Sequence, residues 1–128
     1  MKHLFCLLLV LFSINQISLA QAKWRKQVKL AEELAQKARY TDAADYYLQA
    51  YEQKDKKEWL YRAAECLYQQ RDYRRAAELF LQTKNLRDQF PLAAFQYALC
   101  LKQDGQYLAA EDALNLFIGQ YEGKDKDK

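Results

Sequence analysis

Shifted against itself by 33 and then by 34 residues, this sequence agrees in residue type along five columns. Tyr40, Tyr73 and Tyr107 align, and in the same register so do Ala31, Ala64 and Ala98, then Leu34, Leu67 and Leu101. Ala43, Ala76 and Ala110 form a fourth column, and Tyr47, Phe80 and Leu114 a fifth. A period of this length is one supersecondary unit that cannot bury its apolar face alone, so successive copies have to stack on one another.

Composition agrees with stacked helices. At 128 residues there is room for one small domain. A hydrophobic share of 51% with 14% aromatics is too rich for a disordered segment, and 3 Gly with 1 Pro are too few turn formers for an all-β sandwich. The net charge of +3 is small and evenly mixed, which argues against nucleic acid as the partner. Arg71, Arg74 and Arg75 are interspersed with Asp72 and Glu78 and read as the solvated side of a helix.

Residues 1–22 have the pattern of a secretory signal. Lys2 and His3 give a positive start, Leu4 to Phe12 is an unbroken apolar run, and Ser18-Leu19-Ala20-Gln21-Ala22 offers small residues spaced for a signal peptidase, after Ala20 or Ala22. The run is too short for a membrane span, and Asn15 and Gln16 interrupt its extension. No Cys follows the cleavage region, so lipid attachment at a new N-terminal Cys is not expected. Residues 23–128 contain neither His nor Ser, which removes Ser–His and Cys–His nucleophilic catalysis. Cys66 and Cys100 have no CxxC spacing and no His nearby for zinc, and Gly105, Gly119 and Gly123 stand alone with no phosphate-loop pattern. The expectation is therefore no enzyme, no metal and no cofactor. Occupying one column of successive repeats, the two cysteines are expected to be buried and unpaired.

The columns resemble the tetratricopeptide repeat, a helix–turn–helix unit of 34 residues, over residues 24 to about 121. Its A-x-x-x-F element stands here as Ala43-x-x-x-Tyr47, Ala76-x-x-x-Phe80 and Ala110-x-x-x-Leu114. Its first-helix element appears as Gln27…Leu30-Ala31…Leu34, Leu60…Ala63-Ala64…Leu67 and Ala94…Tyr97-Ala98…Leu101, departing from the family at the Trp and at the last aromatic. The resemblance implies an all-α fold in which three repeats, about 24–56, 57–90 and 91–121, form a short right-handed α-solenoid domain over 23–121. Residues 122–128 are then a charged tail or linker. Local signals predict helices at 24–38, from a Thr41 or Asp42 cap to Glu52, at 58–70, from an Asp72 cap to Lys84, from Pro91 in a first turn to a Gly105 stop, and on to about Gln120.

In that family the first helix of each pair lines a concave groove that holds a partner segment. Position by position, the resemblance assigns the groove to Arg25, Val28, Glu32 and Gln36 in the first repeat, and to Glu58, Tyr61, Glu65, Tyr68 and Gln69 in the second. In the third it assigns Leu92, Phe95, Leu99, Lys102 and Gln103. These positions hold mainly Glu, Gln and aromatics, unlike the Lys, Arg and Asn of family members that clamp a C-terminal carboxylate. The stretches "ARYTDAADYYLQAYE" and "LYRAAECLYQQRDYRRAAELF", behind a signal, also look like the N-terminal repeats of OmpA-like envelope proteins of Bacteroidota that serve type IX secretion and gliding. That likeness implies periplasmic or outer-membrane scaffolding with a protein partner. Finally, the apolar residues of the sixth helix spread too widely for one stripe, so Leu108, Leu116 and Ile118 are expected to form an uncovered end face, open to self-association or to another domain.

Overall fold

The computed structural model describes the backbone of residues 2–125, with side chains described mainly over 23–120. Six helices follow one another: α1 (Lys2–Gln36), α2 (Tyr40–Gln53), α3 (Lys57–Gln69), α4 (Tyr73–Thr83), α5 (Ala93–Gln103) and α6 (Tyr107–Asp125). Among the described residues there is no strand, and the substantial packing is between helices consecutive in the chain.

Each helical hairpin closes through the same turn. Ala38, Arg71 and Gly105 all take left-handed backbone, at φ 56°, 65° and 81°. They stand 33 and 34 residues apart, two residues before the tyrosine column. In each turn the following N–H reaches back five residues, Arg39 to Leu34 O, Asp72 to Leu67 O and Gln106 to Leu101 O, each at 2.9 Å. The left-handed residue itself donates to Ala35, Tyr68 or Lys102. This pair of bonds is the Schellman arrangement, which satisfies carbonyls that the helix end leaves open. The next helix then starts with Ala43 N on Arg39 O, Ala76 N on Asp72 O and Ala110 N on Gln106 O.

Between these turns the alanine columns let helices touch. Ala31, Ala43, Ala64, Ala76 and Ala98 have no exposed surface, and Leu34, Leu67, Leu101, Tyr47 and Phe80 pack around them in a core shared by neighbouring hairpins. Contacts also run from hairpin to hairpin: Trp24 on Trp59 with ring centroids 5.0 Å apart, the Tyr61 hydroxyl donating to Gln96 Oε1 at 2.7 Å, and Arg75 to Asp45 at 3.4 Å. Cys66 and Cys100 are free and buried, and burial pushes their thiols up to about 11 and about 12.

Several boundaries differ from the sequence expectation. Helix α1 is continuous from Lys2, so the expected break before residue 24 is absent and the signal-like segment is helical, Met1 lying outside the described residues. The N-cap position of α2 is Arg39, with no side-chain cap; Asp42 lies one turn in and pairs with Arg39 at 2.6 Å, while Thr41 is exposed. At α4 Asp72 does cap, accepting from Arg75 N at 3.3 Å. Pro91 precedes α5 instead of sitting in its first turn, because residues 84–92 form a connector that folds back before the helix begins. Helix α6 runs through residues 121–125, so the expected tail at 122–128 starts as helix and its last three residues lie outside the described residues. No helix among the described residues is long and apolar enough to cross a membrane.

Candidate functional site

The connector between α4 and α5 shapes a cleft beside α3. Helix α4 stops at Thr83, whose fully buried hydroxyl donates to Phe80 O at 3.2 Å. The chain then turns back, Phe90 N donating to Leu86 O at 2.7 Å, and drops the Phe90 ring into the core. There it stacks on Tyr61 at 4.7 Å and 13°, while Phe80 meets the same tyrosine edge-on at 5.7 Å. The cleft beside this stack, about 410 Å³, is lined by Glu58, Tyr61, Arg62, Glu65, Gln89 and Phe90.

Its chemistry is acidic and partly desolvated. Glu65 is half-buried, and loss of water raises its carboxyl above the usual carboxylate range despite Arg62, 3.7 Å away, and a hydrogen bond with Tyr61, both of which pull it down. Burial likewise raises the Tyr61 hydroxyl, and Glu65 adds to that shift. Tyr47 is pushed up to about 12, mainly by burial and then by Cys66 and Glu32. Among the described residues no group of three or more His, Cys, Asp or Glu side chains could hold a metal ion.

Of the residues assigned to a groove from sequence, the structure gathers Glu58, Tyr61 and Glu65 around this cleft. Arg25, Glu32, Gln36, Gln69, Leu92, Lys102 and Gln103 are exposed, and Val28 and Leu99 are half-buried. The three aromatics assigned to the groove are engaged in packing: Tyr61 in the stack with Phe90, Tyr68 edge-on to Tyr73 at 5.4 Å, and Phe95 tilted on Phe117 at 5.5 Å. Helical spacing along one helix cannot show that rings from the connector and the second helices lean over them. Phe90 and Gln89 were missed because the connector falls outside the repeating columns.

Helix α6 presents a second surface. Leu108, Leu116 and Ile118 are 81%, 63% and 50% exposed, and Tyr107 is 68% exposed where Tyr40 and Tyr73 are half-buried. The repeat register separates two causes. Tyr107 and Ile118 stand where Tyr40 and Tyr51, covered by packing, stand in the first hairpin. Leu108 and Leu116 instead occupy columns held by the exposed polar Thr41 and Arg74, and Gln49 and Gln82, so their apolar character is particular to α6. Glu111 replaces the buried Ala44 and Ala77, so the column through which each earlier hairpin admits its successor carries a charge here.

Compared with family models, with curated proteins and with solved structures, the chain matches none. What sequence and structure define together is a class: an all-helical chain of consecutively packed helices with a repeating turn.

Proposed function

We propose that this protein is a non-enzymatic scaffold of the tetratricopeptide type in the cell envelope, stacked as a short right-handed solenoid and binding an extended segment of a partner protein along its first helices. The observation that carries the reading is the cleft at Glu58, Tyr61 and Glu65, where the register-derived groove positions of the second repeat converge beside the Tyr61–Phe90 stack. Its two carboxylates favour a partner segment with an apolar anchor followed by Lys or Arg. Export across the inner membrane, with removal of residues 1–20 or 1–22, is supported by the Leu4–Phe12 run and the small residues before Lys23. Absence of His and Ser from residues 23–128 supports a binding role over a catalytic one.

A photocrosslinking amino acid at position 58 or 65, compared with one at the exposed position 78, tests the groove in envelope preparations. The expected result is one discrete adduct from positions 58 and 65, lost on Glu58→Lys/Glu65→Lys and absent at 78. Equal adducts from all three positions would refute it. The exposed Leu108 and Leu116 favour a second reading, an assembly subunit that self-associates or docks through α6. Sedimentation of the wild type against Leu108→Lys/Leu116→Lys decides that one: a wild type that stays monomeric at high concentration excludes self-association.

A further inference from the structure

At the end of the stack where α1 enters, three cations converge on one indole. Arg25 Cζ lies 5.3 Å from the Trp24 ring centroid, Lys54 Nζ 5.2 Å and Lys56 Nζ 5.7 Å. Lys56 also stands 5.6 Å over the Trp59 ring, which is buried against Trp24. All three cationic residues are exposed, and none has a carboxylate within ion-pairing distance among the described residues. Neighbouring Lys57 is held differently, by Tyr51 OH at 2.6 Å and Asp55 at 3.5 Å. Gathered about one ring, the three unpaired cations lie within about one Debye length of one another and repel. Cation–π attraction offsets part of that repulsion.

Stability of the fold does not explain this placement. Lys56 is the N-cap residue of α3 and has no side-chain capping bond, and Lys57 follows as its first residue. Positive charge at a helix N-terminus opposes the dipole, so these positions favour acidic or hydroxyl side chains on stability grounds. By contrast, three of the cations at the turn end of the hairpins are paired: Arg39 with Asp42, Arg75 with Asp45 and Asp72, and Arg74 with Asp104.

We infer that the Trp24–Arg25–Lys54–Lys56 surface docks on an anionic phospholipid bilayer. Charge complementarity requires an anion, and two further features favour a bilayer over an acidic polypeptide. A half-buried Trp among Lys and Arg is the side-chain mixture that settles at the headgroup level. The helix that carries Trp24 and Arg25 also exposes Leu7, Leu9 and Leu19, with Leu19 about 8 Å along the axis from Trp24, so apolar side chains stand next to the cationic collar along the chain. The collar itself begins at Trp24 and is retained if the signal-like segment is removed. This surface is separate from the Glu58–Glu65 cleft, and its test is independent of that proposal.

The test uses the full chain with vesicles of phosphatidylglycerol and phosphatidylcholine, against phosphatidylcholine alone. Each collar cation is expected to contribute about fivefold in partition, so Arg25→Gln/Lys54→Gln/Lys56→Gln should bind the anionic vesicles about a hundredfold more weakly than wild type. On neutral vesicles, where only the apolar residues act, the two proteins should partition alike. Lys37→Gln/Arg71→Gln/Arg74→Gln, with the same change in net charge at the turn end, should keep wild-type binding. Trp24 and Trp59 are the only tryptophans, so a blue shift of intrinsic fluorescence on anionic vesicles that disappears in Trp24→Phe locates the contact. Equal loss in both triple variants would reduce the effect to net charge and overturn the proposal. So would tighter binding to soluble poly-glutamate than to vesicles. If the triple variant does not fold, Lys56→Gln alone should lose about fivefold in partition while melting at or above the wild-type temperature.

Discussion

The three hairpin turns differ in one respect that has a measurable consequence. Each needs a residue in the left-handed region, and only the third supplies glycine. An L-residue there carries about 1–2 kcal/mol of strain, of which the greater freedom of glycine in the unfolded chain returns about 0.4–1 kcal/mol. Ala38→Gly and Arg71→Gly should therefore each stabilise the fold by about 0.5–1 kcal/mol. Both side chains are exposed, and among the described residues neither makes a side-chain hydrogen bond or ion pair that the exchange would remove. The sites lie in different hairpins, so the effects should add, raising the melting temperature of the double variant by about 5–10 °C. Gly105→Ala should act in the opposite sense, by about 1 kcal/mol. An added Cβ meets no atom within 4 Å, so backbone strain alone sets its cost. Thermal melts and urea titrations of the three variants measure all of this. A double variant that melts at or below wild type would refute the reasoning.

Two further outcomes are expected. Phe90→Ala, which empties the ring position stacked on Tyr61, should cost about 3–4 kcal/mol, whereas Tyr61→Phe loses only the hydroxyl's hydrogen bonds, with Gln96 and Glu65, and should cost about 1 kcal/mol; urea unfolding of both checks whether the connector belongs to the core. Glu65 holds its proton more tightly folded than unfolded, so its contribution is fully present below the ordinary value of 4.5 and is lost as pH rises through the folded pKa. Glu65→Gln should then raise the melting temperature near neutral pH, with the gain vanishing below pH 4.5; a gain independent of pH would show that ionisation is not the cause.

The repeating columns were enough to give helix number, hairpin pairing and core, because a small residue at a fixed period can be satisfied only where helices touch. Ala31, Ala64 and Ala98 are accordingly buried without remainder, as are Ala43 and Ala76. Sequence also marked Gly105 as a stop and Asp72 as a cap, since each acts through its own backbone neighbourhood. It did not disclose that Ala38 and Arg71 take the same left-handed turn as Gly105. Their side chains carry no such preference, and the turn is imposed by the two helices that must pack on either side of it.

The candidate site was legible only in part, for the same reason. Glu58, Tyr61 and Glu65 follow from the register, but the depth of their cleft depends on Phe90 folding back from a connector outside the repeat. Nothing in the spacing of Trp24, Lys54 and Lys56 announces that they meet; they do so because α1 and α3 both pack on α2, which sets Trp24 against Trp59 and brings the α2–α3 connector over the first indole. Local chemistry and periodicity determine which residues turn inward along each helix. Which residues of different helices share a surface is decided by how the helices pack, and that information is carried by the whole stack.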